Sequence, residues 1–102
     1  MATQKLKLPY VIVRTQNAGV FAGELVKRTG SEARLKNSRR IWYWDGAASL
    51  SELAVSGTSK PEECQFPVVI PVHDVFGVIE VLQTSAAARK SIESVPTWSV
   101  RK

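Results

Sequence analysis

Ser38-Arg39-Arg40-Ile41-Trp42-Tyr43-Trp44-Asp45-Gly46-Ala47-Ala48-Ser49-Leu50-Ser51-Glu52-Leu53 is where the chain changes from sheet to helix. Its first half is rich in aromatic and β-branched residues, the composition of a strand. Asp45-Gly46 interrupts that pattern with turn chemistry. Ser49 and Glu52 then stand at the spacing of a capping box, in which the hydroxyl accepts from a backbone N–H three residues on and the carboxylate reaches back. Leu50, Leu53 and Ala54 fall on one helical face, and Gly57 ends the helix. A helix over residues 49–56 is too short to persist unless it packs on something.

Working outward towards the N-terminus, residues 39–44 read as an aromatic-rich strand, the fourth in the chain. Residues 10–15 form the first strand, Asn17-Ala18-Gly19 a turn, and residues 20–28 the return strand, with Gly23 at a bulge or a close backbone approach. Thr29-Gly30-Ser31 is a second turn, residues 32–36 a third strand, and Asn37-Ser38 a third turn. Short connections of this kind favour an antiparallel meander. Residues 1–8 read as a basic tail.

Towards the C-terminus, residues 57–64 form a polar loop. Residues 66–72 are extended, and Pro67 and Pro71 keep them out of a central sheet position. Residues 75–82 read as a dense strand buried on both faces. Thr84-Ser85 cap a last helix over residues 86–94, with Ala88, Ile92 and Val95 as its buried stripe. Pro96 stops it, and Trp98 folds back onto the body. The expected fold is α+β: a curved antiparallel sheet or small open barrel of about six strands, one short internal helix and one C-terminal helix.

A chain of 102 residues, 44% hydrophobic and 23% charged, has the composition of one ordinary globular domain. No apolar run reaches the length of a membrane span, so no membrane partner is expected. The N-terminus carries no hydrophobic signal region, and Cys64, the single cysteine, fits a reducing cytoplasm. The net charge of +5 is unevenly placed. Residues 1–44 hold nine basic groups against two acidic ones, a balance of +7, while residues 45–102 hold five against seven, −2. Such asymmetry steers anionic ligands, or lets identical subunits pair head to tail. With the apolar 75–82 run it points to a homo-oligomer, most simply a dimer.

Catalytic chemistry finds little support. His73 and Cys64 fall short of the three or four ligands a zinc site takes, and His73 reads as a loop histidine. Cys64 lacks an activating base at telling spacing and reads as structural. Gly19-x-x-x-Gly23 is not followed by the Gly-Lys-Ser/Thr of a phosphate loop, and Glu62-Glu63 lies in a loop. No metal, cofactor or enzymatic activity is expected. What remains is Arg39-Arg40-x-Trp42-x-Trp44. Strand alternation puts Arg40, Trp42 and Trp44 on one face and Arg39, Ile41 and Tyr43 on the other. Indoles stack on bases and guanidinium groups pair with phosphate, so Arg39, Arg40, Trp42 and Trp44 form the candidate ligand-binding set. The competing reading makes the tryptophans core, with the arginines as surface charge.

The segments Gly19-Val-Phe-Ala-Gly-Glu-Leu, Leu35-x-x-x-Arg39-Arg40-Ile-Trp42-Tyr-Trp44-x-Gly46-Ala-Ala-Ser-Leu50-Ser-Glu52-Leu and Val78-Ile-Glu80-Val-Leu resemble a family of small tailed-bacteriophage proteins catalogued as a domain of unknown function. The resemblance covers roughly residues 8–98. It implies a phage origin and an accessory role in the host cytoplasm or on the virion, and it brings no catalytic residues. The expectation is therefore a non-enzymatic phage accessory protein that binds an anionic ligand: a nucleotide, a nucleic acid or an acidic host protein surface, with counter-defence as one such role. The alternative is a self-assembling structural or virion-associated protein whose aromatic stretch is core or subunit interface.

Overall fold

The structure, a computed structural model, describes residues 8–100, so the tail expected over residues 1–8 lies outside it apart from Leu8. Among the described residues, five strands and two α-helices follow one another. Strand β1 (Tyr10–Thr15), β2 (Val20–Thr29) and β3 (Glu32–Arg40) form a meander through the two expected turns. Helix α1 (Leu50–Ser56), a short 3₁₀ turn at Pro61–Glu63, strands β4 (Ile70–Phe76) and β5 (Val78–Gln83), and helix α2 (Ala86–Ser94) complete it. All pairings are antiparallel, in the order β4-β3-β2-β1-β5.

The strand count is five rather than about six. The expected turn at Asn37-Ser38 is a bulge inside one long strand. Ala22 faces Arg39 and Glu24 faces Lys36, so two residues of β3 stand opposite Gly23 alone. Asn37 takes a positive φ of 51° to do so. Gly23 stands opposite it, where a Cβ would lie 3.1 Å from the Ser38 Cα and 3.2 Å from the Lys36 carbonyl oxygen, so a side chain there would push the β3 backbone back by a few tenths of an ångström. Arg39 and Arg40 therefore end β3 instead of opening a fourth strand, and beyond them only Tyr43 makes an isolated bridge, to Gln65.

The run expected as one doubly buried strand over residues 75–82 is also corrected. It breaks at Gly77, which has a φ of 75°, and its halves belong to the two edges of the sheet. Five strands laid flat hold their edges about 19 Å apart. A single residue between Phe76 and Val78 spans no more than about 7 Å. The sheet must therefore curl until its edges meet at this corner. Gln16 donates to the Gly77 carbonyl and the Val78 N–H to the Ser31 carbonyl, tying the corner to both hairpin turns. Being edge strands, β4 and β5 leave Val72, Phe76 and Ile79 exposed. The placement of Pro71 on an edge agrees with its missing N–H.

Curling gives the sheet two cores. Val11, Val13, Phe21, Ala33, Leu35, Val75 and Val78 fill the concave side. Tyr10, Ile12, Ala22, Ile41 and Phe66 meet Leu53, Ala54, Ile92 and Val95 of the helical layer on the convex side. The Ser49 side chain accepts from the Glu52 N–H, and the Glu52 carboxylate reaches back to the Ala48 N–H, one residue beyond the expected partner. The Ser85 hydroxyl caps α2 through the Ala88 N–H and also donates to the Val55 carbonyl, joining the two helices. The Arg89 guanidinium lies 4.8 Å above the Tyr10 ring and pairs with Glu24 and Glu93, fixing α2 to β1 and β2. The helices cover β1 and the start of β2. The convex face of the β2–β3–β4 end is left open.

Candidate functional site

The four residues singled out by sequence do not converge. Arg39 is only 3% exposed. Its Nη1 donates to the Ile92 and Val95 carbonyls and its Nη2 to the Phe66 carbonyl, while Nε has no partner. Burial pulls its pKa below the ordinary arginine range, and the neighbouring Tyr10 opposes that. Arg39 thus joins the C-terminal end of α2 to the strand-like segment at Phe66. Arg40, pointing to the concave side, sits 4.5 Å from the Phe21 ring and donates to the Ala18 carbonyl. Trp44 packs against the convex core with its indole N–H on the Ala47 carbonyl. Trp42 alone of the four is strongly exposed, at 63%.

Trp42 does not stand alone on the surface. Its ring lies 6.5 Å from that of Trp98, with only 11° between the planes, and Trp98 is 46% exposed. The Trp42 and Tyr43 N–H groups both donate to the Gln65 carbonyl, and the Trp98 N–H donates to the Phe66 carbonyl. Three backbone segments hold the two indoles in place. The expected folding back of Trp98 is what creates this pair.

His73 is on β4 rather than in a loop. Its Nδ1 lies 3.2 Å from the Ser38 Oγ, and its ring meets Phe21 edge to face. Burial, then the Arg40 charge, lower its pKa, with Asp74 opposing. A serine beside a histidine invites a nucleophilic reading. Ser38, however, is 1% exposed, and the Asp74 carboxylate is turned to the other face, onto Arg34. The pair reads as a core hydrogen bond. Cys64 is buried, with its sulfur among the Asp45 and Lys60 carbonyls and the Thr58 hydroxyl.

The group that sequence reasoning missed lies on the open convex face. The pairing register places Lys27 opposite Arg34 and Arg34 opposite Asp74. One step along, Thr29 stands opposite Glu32 and Glu32 opposite Phe76. These six side chains surround a cavity of about 320 Å³. Arg34 grips Asp74 with Nε at 2.8 Å and Nη2 at 3.2 Å, leaving Nη1 free. That pairing holds the Asp74 carboxyl below the usual carboxylate range and raises the arginine. Lys27 takes part in none of the ion pairs among the described residues. Phe76 is 62% exposed at the rim. A free ammonium, a guanidinium edge, a hydroxyl, the Glu32 carboxylate, the arginine-held Asp74 carboxylate and an exposed ring thus share one patch. The available signal was the alternation of Lys27, Arg34 and Lys36 along two paired strands. It was hidden because Phe76 read as the interior of a buried strand.

A family model described as a domain of unknown function, DUF6948, matches residues 8–92. No curated protein and no solved structure matches the chain significantly. Among the described residues no helix is long and apolar enough to cross a membrane.

Proposed function

We propose that this chain, which belongs to the DUF6948 family of unknown function, works by binding, and that its ligand is an anionic unit carrying a base, held on the open convex face of the sheet. The observation that carries this is the cavity in which Lys27 and Arg34 stand within one strand spacing of each other and Phe76 presents its ring at the rim. Lysine and a free guanidinium edge match a phosphate. An exposed ring matches a base, which stacks on any π-face. Glu32, between them, accepts from sugar hydroxyls. The reading keeps the anionic ligand expected from charge but moves its site. Arg39 is committed to three carbonyls, and Arg40 and Trp44 are engaged on their own neighbours. A non-enzymatic accessory role in the cytoplasm of an infected host, counter-defence included, is the setting we assign, supported by the resemblance to small phage proteins.

The test is calorimetric titration of uridine and adenosine monophosphates at low salt, against wild type, Lys27→Ala and Phe76→Ala. Binding that weakens in both variants supports the site. A folded wild-type protein that binds neither nucleotide nor oligonucleotide removes it.

A second reading, self-assembly, is favoured by the apolar edge of β4, where Ile70, Val72 and Phe76 are exposed. An open edge of this kind invites strand pairing with another copy. Light scattering at high micromolar concentration decides it: a dimer or larger supports assembly, and a monomer mass sinks it.

A further inference from the structure

We infer that the ligand is a single-stranded nucleic acid laid along β4, running from the Phe76 cavity to the Trp42–Trp98 pair, rather than a free nucleotide. The inference rests on the cavity reading above and extends it. Strand alternation puts Ile70, Val72, Asp74 and Phe76 on one face of β4, the face of the cavity. Val72 faces Lys36, so the cations Arg34 and Lys36 line β3 beside this path. Val68, Ile70 and Val72 continue it as exposed apolar steps towards Phe66, whose carbonyl holds Trp98.

Phe76 is the last residue of β4, and the Trp42–Trp98 pair is held at Gln65 and Phe66, the latter four residues before the strand begins. The seven residues of β4 alone cover about 20 Å. The whole stretch from Phe66 to Phe76 covers at most about 35 Å. One nucleotide cannot reach both points, whereas a strand of several nucleotides does. The near-parallel indoles, fixed by backbone hydrogen bonds on three segments, offer a flat surface that pays little ordering entropy on binding. A row of cations beside spaced aromatic rings is the arrangement that holds single strands without reading their sequence.

Full-length protein is titrated at low salt with uridine monophosphate and with oligouridylate and oligothymidylate of about eight nucleotides. Trp98→Ala, Trp42→Ala and Val72→Asp are compared with wild type after circular dichroism shows each is folded. Val72 is exposed, so Val72→Asp places a negative charge on the path without touching the core. The oligomers are expected to bind at least tenfold more tightly than the monophosphate. Each variant should weaken the oligomers by about tenfold, as expected for one stacked base, and leave the monophosphate unchanged. Preference for oligouridylate over oligothymidylate, or the reverse, assigns RNA or DNA as the strand. Equal affinity for monophosphate and oligomers, or variants that bind oligomers like wild type, overturns the extended ligand while the cavity reading stands. Failure of every probe to bind removes the cavity reading and this inference with it.

Discussion

Arg39 is the one charged residue that is buried among the described residues. Its fork reaches three carbonyls that come from α2, its C-terminal cap and the Phe66 segment. Arg39→Met keeps the bulk and deletes the donors: the Val95 carbonyl is left without a partner, and the Ile92 and Phe66 carbonyls keep only the backbone N–H groups of Val95 and Trp98. The expected loss is about 3 kcal/mol in chemical denaturation, while any folded fraction binds nucleotide as wild type does. Tyr10 gives a prediction in pH. Burial, with Glu93 next, pushes its phenol up to about 12. The folded protein thus holds this proton more tightly than the unfolded chain. That contribution is complete below about pH 10 and fades as pH rises towards 12. At pH 11 wild type should have lost about 1 kcal/mol relative to neutral pH that Tyr10→Phe does not lose. Denaturation of both proteins at the two pH values checks it. At this scale the sequence showed which residues were unusual but not what they touch. Alternation correctly separated Arg39 from Arg40. Which face held the helices depended on partners distant in the chain, Ile92 and Val95 among them.

Among the elements, both helix starts were legible because capping is local: Ser49 and Ser85 accept from the N–H groups their spacing indicates. The strand boundaries were less so, and glycine and asparagine explain why. A positive φ serves a turn, a bulge or a corner equally well. Asn37 makes a bulge, and Gly77 a corner inside what reads as one apolar run. Gly57 and Gly77 have nearly the same φ, 76° and 75°, but different surroundings. A Cβ on Gly57 would fall 2.4 Å from the Ser91 Cβ, where α2 passes α1, whereas the nearest atom to one on Gly77 is 3.9 Å away. Gly77→Ala should therefore cost only the backbone strain, about 1 kcal/mol. Gly57→Ala adds a clash between the helices and should cost about 3 kcal/mol. Equal losses in thermal or chemical denaturation would mean that α1 and α2 are not packed as closely as this geometry requires.

For the molecule as a whole, the uneven charge of the chain becomes a spatial pattern. The first 44 residues, with a balance of +7, contain β1, β2 and β3. Both helices and the 3₁₀ turn lie in the half that carries −2. The helices cover the β1 side of the sheet, so Lys27, Arg34 and Lys36 remain on its open convex side. An incoming phosphate chain therefore meets Lys27, Arg34 and Lys36 with three carboxylates near them: Asp74, held by Arg34, Glu32 in the cavity, and Glu24 opposite Lys36, held by Arg89. Such contacts release condensed counterions, and that release sets the salt dependence. If the strand engages two or three phosphates through these side chains, log K should fall with log salt at a slope of about −1.4 to −2 for a single strand. Lys27→Ala should make the slope shallower by about 0.7, because one contact is lost. Arg14→Ala is the control: its guanidinium is paired with Glu80 across β1 and β5 and does not line the cavity, so the slope should not change. Anisotropy titrations of an oligouridylate between about 50 and 200 mM salt measure all three. A flat salt response, or equal slopes for wild type and Lys27→Ala, would show that the convex face does not meet phosphate and that its cations only keep the sheet soluble.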